Sequence, residues 1–408
     1  MPHVTPADAR SASVFRSLSF LRLWTGTTAS GVATWSLPFI LGLAVLERSV
    51  TAVELGIVLA ARTAGFLAAV PVAGVLADRH DRRRVVLWAG LVAALAAPVI
   101  ALGMGRSVVV MAMAAAVVGA GQGACRPAFQ ALTAEVVAEH QRQQANAALT
   151  LSVRVTTLVA PGLTALLAVV VDTRVLLIAT GVLWLGAALI PPAGAGRTPI
   201  TTDGAGTRFT ADFLDGIREA RRHPWFLAGL GALTAVIATG YSATGVVLPL
   251  VSRDRYGTEA VLAAALTAYT LGALVGAVLV ARWTPRAQGW TALAGLACYG
   301  FAPLSLLLPV PAVVVVAAYV LAGVGIELFN VPWFTATQRE VDPRMLARVS
   351  SLDFLLSYGL APVGLALIAP AISHFGPEPV LAICAAICFT APAAAALVPS
   401  SRDFRAVR

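Results

Sequence analysis

Two acids and two arginines lie where charged side chains are costly. Glu327 sits well inside the apolar stretch 311–336. A charge enclosed in such a segment costs several kcal/mol (~2.5–3.5 on insertion scales) unless it is paired or protonated. A carboxylate so placed suits the loading and release of a proton. The same residue also reads as a static ion pair with Arg154 or Arg126 that locks two helices, or as a side chain snorkelling to a surface. Asp353 is the second acid. Ser350-x-x-Asp353 reads as a capping box at the start of the stretch 350–372, with a proton role as the alternative. Arg62, near the middle of 52–77, requires a partner. It reads either as a counter-charge that tunes Glu327 or attracts an anionic substrate group, or as a donor to carbonyls of the stretch 350–372. Arg154 lies nearer a segment end, where its long side chain reaches the surface, and reads as structural.

Other chemistries find no residues. All 29 basic residues are arginine, so neither a Walker A lysine nor a lysine Schiff base is encoded. His3, His80, His140, His223 and His374 lie in loops or tails at no metal-binding spacing. Cys125, Cys298, Cys384 and Cys388 fall in apolar segments; Cys384 and Cys388 share a helix face and read as packing. No nucleophile–base pair is evident, and no enzyme, metal or cofactor is expected.

The elements that must position these residues are membrane helices. Of the 408 residues, 58% are hydrophobic and only 12% charged, with a mean hydropathy of +0.83. A soluble domain carries about a quarter charged residues. A span needs roughly 20 apolar residues. The pattern predicts spans at 22–46, 52–77, 85–105, 107–131, 147–171, 174–192, 226–250, 260–281, 288–308, 311–336, 350–372 and 377–398. If these alternate from a cytoplasmic N-terminus, only Arg48, Arg106, Arg174, Arg253 and Arg255 fall outside, and Arg62 and Arg154 fall within spans. The other arginines lie inside, so the net charge of +9 is a positive-inside bias rather than a nucleic-acid footprint. Both termini are expected in the cytoplasm. Met1–Ser19 is polar and lacks a cleavable signal pattern, so the first span would serve as its own insertion signal.

Pro191–Pro224 divides the chain into six-span bundles at 1–192 and 226–408, joined through 193–225. That link begins as a flexible segment. It ends in a short amphipathic helix with Phe209, Phe213 and Ile217 on one face and Arg218, Arg221 and Arg222 on or beside the other. The bundles read as diverged copies. Gly119-Ala-Gly121 with Pro127-Ala-Phe129 matches Gly323-Val-Gly325 with Pro332-Trp-Phe334. Ala160-Pro161 matches Ala361-Pro362, and Gly74–Arg84 has a worn counterpart in Gly276–Arg286. Polar stripes at helical spacing mark four spans. Span 1 carries Thr27, Ser30 and Thr34, with Trp35 beside them. Span 4 carries Gln122 and Arg126, and span 7 carries Thr234 and Tyr241. Span 10 carries Tyr319, Gly323, Glu327, Asn330 and Phe334, with Trp333 adjacent.

The loop GVLADRHDRRR carries Gly74, Leu76, Asp78, Arg79, Arg82 and Arg83, with Asp81 where a glycine is usual. With twelve spans in a 6+6 split, it resembles the major facilitator superfamily over nearly the whole chain. FRSLSFLRLWTGTTAS and ELFNVPWFTATQREVDPRMLARVSSLDF are similar to the branch of macrolide and siderophore exporters, the drug:proton antiporters. Gly119, Ala160 and Thr164 depart from that branch, which often has arginine at the first position and a Gly-Pro and Gly-Gly pattern at the others. The resemblance implies an all-helical fold of two pseudo-symmetric six-helix bundles, with spans 1, 4, 7 and 10 lining a cavity. Thr27, Ser30, Thr34, Trp35, Arg62, Gln122, Arg126, Tyr241, Tyr319, Asn330 and Trp333 are the expected substrate residues, and Glu327 and Asp353 the expected proton carriers. Gly74, Asp78, Arg79, Arg82 and Arg83 form the expected gate. There Asp78 would dock on the N-terminal end of span 11 near Arg348–Ser350, while the arginines hold the loop at the inner surface. The implied activity is proton-coupled efflux of a small hydrophobic or amphipathic compound across the cell membrane by a monomer. Its partners would be substrate, protons and lipid, without nucleic acid. An uptake carrier of the same fold and a non-transporting membrane sensor are the alternatives.

Overall fold

The computed structural model describes residues 13–194, 209–258, 260–283 and 285–405; at 52, 209–212, 358, 360–362, 365–366 and 369 it describes the backbone alone. The expected flexible link at 195–208 lies outside the described residues, as do the side chains of Phe209, Ala361 and Pro362. Among the described residues the secondary structure is helical, without strands.

Among the described residues, twelve apolar helices follow the hydropathy pattern. Span 1 is Leu18–Leu46, span 2 Ala52–Arg79, span 3 Arg82–Gly103, span 4 Val108–Val136, span 5 Arg142–Ala168 and span 6 Thr173–Leu189. Span 7 is Pro224–Asp254, span 8 Ala260–Arg282, span 9 Gln288–Leu307, span 10 Ala312–Glu340, span 11 Leu346–Phe375 and span 12 Pro377–Ala396. Ten are long and apolar enough to cross a membrane; span 6 is shorter, and span 11 has 30 residues. A backbone in lipid must satisfy its own hydrogen bonds, which helices do. The chain is therefore a multi-pass membrane-embedded protein. Several helices outrun their apolar stretch at polar ends: spans 4 and 10 continue to Val136 and Glu340, and spans 5 and 11 begin at Arg142 and Leu346. Hydropathy marks only the apolar part of a helix, whereas hydrogen bonding continues through the polar turns beyond it.

The chain divides into two compact units, Met1–Gly216 with Asp342–Ser351, and Ile217–Val341 with Leu352–Arg408. In the first, span 4 packs along spans 2 and 3, span 3 along span 6, and span 1 along spans 5 and 6. In the second, span 10 packs along spans 8 and 9, span 9 along span 12, and span 12 along span 7. The pairings repeat, and so do the glycines that permit them. A Cβ at Gly119 would collide with the Arg62 carbonyl on span 2, and one at Gly323 with the Tyr269 carbonyl on span 8. Gly121 lies likewise against the Ala89 carbonyl on span 3, and Gly325 against the Gly295 carbonyl on span 9. Small residues at membrane-helix contacts let backbones approach closely. The paired glycines of the internal repeat are therefore packing seams.

Between spans 6 and 7, Phe209–Arg221 is a helix. Phe213 and Ile217 are half-buried, while Arg218, Arg221 and Arg222 are exposed. Span 7 contains one π turn, Ile237–Tyr241, where a Cβ on Gly240 would strike the Cys388 sulfur. Hydropathy carries no trace of that irregularity.

Candidate functional site

The loop between spans 2 and 3 is short because both helices end on it. His80 is the C-cap of span 2 and Asp81 the N-cap of span 3, with its carboxylate accepting the Arg83 N–H at 2.8 Å. Aspartate at an N-cap satisfies an orphan backbone donor. That accounts for Asp81, which departs from the family's glycine; neither His80 nor Asp81 has a positive φ.

Asp78, one turn earlier, caps a different helix. Its Oδ1 accepts the Ala347 N–H at 3.0 Å and its Oδ2 the Arg348 N–H at 2.9 Å. These amides are the second and third of span 11, where the helix has no internal acceptors and its dipole favours an anion. Gly74 makes the approach possible, since a Cβ there would press into Ser351 and the Ala347 carbonyl. Arg82 is not a surface anchor. It is 4% exposed and donates to the Ala131 carbonyl at 2.9 Å and to the Pro343 carbonyl. It also lies 3.0 Å from Glu135 and 3.5 Å from Asp78. Arg83 donates to the Leu189 carbonyl at 3.0 Å, and Arg79 is half-buried at the end of span 2. The inner-surface role expected of the arginines thus fails for Arg82. Its guanidinium is enclosed by two carboxylates and two carbonyls, which satisfy a buried charge better than lipid headgroups reach it.

A second cluster lies on spans 1, 2 and 4 of the first unit. The Arg62 Nη2 donates to Gln122 Oε1 at 2.9 Å and to the Thr34 carbonyl at 3.3 Å. Arg126 is close enough to repel Arg62, and its guanidinium stands 5.9 Å from the Phe66 ring centre. Four expected substrate residues are therefore gathered at one place. Thr27 instead spends its hydroxyl on the Leu23 carbonyl of its own helix, at 2.9 Å. Ser30 is half-buried and Trp35 exposed on span 1.

In the second unit, Glu327 is 0% exposed on the face of span 10 that meets Gly276 of span 8. Gly323, on the same stripe, meets span 8 as well. Tyr319 is buried, Asn330 and Thr234 are half-buried, and Tyr241 is exposed. Trp333 is fully buried among Trp225, Phe226, Phe329 and Phe404, stacked on Phe226 at 4.9 Å. Its indole N–H donates to Asp353 Oδ2 at 3.2 Å, and the Ser357 hydroxyl donates to Oδ1 at 3.1 Å. The capping-box reading of Ser350 and Asp353 is overturned, because span 11 starts at Leu346 and Asp353 lies two turns inside it. The Thr51–Glu54 box at the start of span 2 is, by contrast, complete. Tyr299 was not legible as a polar-site residue: it is buried, with its hydroxyl 3.1 Å from that of Thr244.

Residues 23–364 match the family model described as Major Facilitator Superfamily. The chain belongs to the major facilitator superfamily. Among solved structures, this facilitator is similar to the human organic anion transporter MFSD10 (TETRAN), with a TM-score of 0.73 at 14% identity over 96% of this chain and 100% of that one. It is also similar to a bacterial homologue of the iron transporter ferroportin in an outward-facing state, with a TM-score of 0.72 at 15% identity over 93% and 98%. At those identities the likeness is one of fold. No curated protein sequence matches. Two of the facilitator's departures from the antiporter pattern have local causes. Gly119 is pressed on the backbone of Arg62 and leaves no room for a side chain. The Thr164 hydroxyl bridges Ser36 at 3.0 Å and the Ala160 carbonyl at 2.7 Å, where glycine would leave Ser36 unbridged.

Proposed function

We propose that this facilitator is a secondary active transporter that exports a small hydrophobic or amphipathic compound in exchange for protons. It works as a monomer by alternating access in the cell membrane, with both termini cytoplasmic. One observation carries the coupling. Asp353 is 5% exposed, and among the described residues its carboxylate has only neutral hydrogen-bond partners, the Trp333 indole and the Ser357 hydroxyl. A carboxylate in a membrane segment is costly without a counter-charge. Where the protein supplies none, a proton is the ion that neutralises it, and its gain and loss give a coupling step. Glu327 is the second acid in the same unit, fully enclosed on span 10. Outward direction is supported by the likeness of Phe15–Ser30 and Glu327–Phe354 to exporter sequences.

The Asp78–Arg82 network is the gate of this cycle. It stabilises whichever conformation places Asp78 on the first turn of span 11, and transport requires that contact to break. Asp353→Asn and Glu327→Gln, measured in reconstituted vesicles, separate coupling from movement. The expected outcome is that each variant still exchanges labelled solute across the bilayer but no longer accumulates it against a pH gradient. Gradient-driven accumulation that survives in both variants would show that neither acid carries the proton.

A further inference from the structure

The cluster on spans 1, 2 and 4 is made almost entirely of hydrogen-bond donors. Arg62 is half-buried, and its protein acceptors are two uncharged oxygens, Gln122 Oε1 and the Thr34 carbonyl, both reached from Nη2. Guanidinium has five N–H donors, so Nε and Nη1 make no bond among the described residues. Among the described residues no carboxylate pairs with Arg62, and the charge that acts on it is another guanidinium, that of Arg126. Gln122 has its amide oxygen turned to Arg62, which directs its NH2 away from that contact as a further pair of donors. A half-buried guanidinium such as that of Arg62, with donors unspent among the described residues, lacks the counter-ion that membrane segments otherwise supply.

We propose that the missing counter-ion is the substrate: Arg62, Gln122 and Thr34, with Arg126 beside them, form a subsite for the carboxylate or sulfonate group of an amphipathic organic anion. This proposal rests on the transporter reading above and sharpens it by fixing the sign of the cargo. Two oxygens of a carboxylate or sulfonate match the guanidinium fork bidentately, a pairing of charge that a cationic or neutral compound does not reproduce. The exposed Trp35, next to Thr34 on span 1, offers apolar surface for the remainder of such a molecule.

The test uses full-length protein in lipid nanodiscs and two dyes that share a xanthene frame, fluorescein as the anion and rhodamine 123 as the cation, with binding read by fluorescence anisotropy. Wild type is expected to bind fluorescein at least tenfold more tightly than rhodamine 123. Arg62→Gln should weaken fluorescein binding at least tenfold, and Arg62→Lys should restore part of it. Gln122→Glu is the decisive variant, because it places an internal carboxylate against Arg62 in nearly the same volume. It should abolish fluorescein binding while holding or raising the melting temperature, which separates loss of the site from loss of the fold. Equal binding of the two dyes, or unchanged fluorescein affinity in folded Gln122→Glu protein, would overturn the subsite. A pH-gradient assay with the same dyes in reconstituted vesicles distinguishes the two layers. Transport of rhodamine 123 alone refutes the anion subsite and leaves transport standing. Binding of fluorescein with no dye transported supports the subsite and counts against the transporter reading.

Discussion

Replacing Asp78 with asparagine exchanges one carboxylate oxygen for an NH2 group and tests the gate directly. In the structure both carboxylate oxygens accept backbone N–H groups, at 3.0 Å from Ala347 and 2.9 Å from Arg348. An asparagine keeps one acceptor and turns an NH2 group toward the other amide, so one bond is lost and two donors face each other. A hydrogen bond to a charged group contributes about 1.5–3 kcal/mol. The lost anion at a helix N-terminus removes about 0.3–1 kcal/mol more. Arg82 retains Glu135 at 3.0 Å and its two carbonyls, so the damage stays at the latch. The total is about 3 kcal/mol, or roughly a hundredfold in the equilibrium for opening the contact. Hydrogen–deuterium exchange of the peptide containing Ala347 and Arg348 reads this opening. Its protection is expected to fall about a hundredfold, with the core of span 3 unchanged. Equal exchange in wild type and Asp78→Asn would refute the assignment of Asp78 as the cap of span 11.

Gly119→Ala should destabilise the purified protein by about 3 kcal/mol, because the added methyl meets the Arg62 backbone rather than a movable side chain. Gly42→Ala, with nothing within 4 Å of the new methyl, should be neutral or stabilising by about 0.5–1 kcal/mol; melting temperatures compare the two. Asp81→Ala should cost about 1 kcal/mol and Asp81→Gly only a few tenths, the pattern of a lost N-cap. A larger penalty for Asp81→Gly in the same melts would mean that the loop needs the carboxylate for more than capping.

Much of the fold is legible because lipid leaves the backbone few options. Twenty apolar residues in a row become a helix, and the observed spans keep the expected register from Leu18 to Ala396. What hydropathy misreads are the polar ends. Ser350 and Asp353 look like a cap because the apolar stretch starts there, yet the helix begins at Leu346, capped from a distance by Asp78. No local pattern marks a cap contributed 269 residues away in sequence. Asp81 was legible in principle, since an aspartate directly before a helix is an N-cap signal, but it stood out only as a departure from the family loop. The span 10 stripe shows a deeper ambiguity. Helical spacing puts Gly323 and Glu327 on one face, and spacing alone does not tell a packing seam from a cavity wall. The structure places both against span 8. For Arg62 the sequence dictated only that a partner was needed; that the partner is the amide of Gln122 depends on how closely Gly119 lets spans 2 and 4 approach.

Proton coupling is tested most directly in everted membrane vesicles carrying the wild-type facilitator. An inside-acid pH gradient is imposed and fluorescein accumulation is followed, with a protonophore added at steady state. Proton-driven export predicts accumulation that collapses on adding the protonophore and is lost in Asp353→Asn. Accumulation that ignores the collapse of the gradient, or that persists in Asp353→Asn and Glu327→Gln alike, would contradict it.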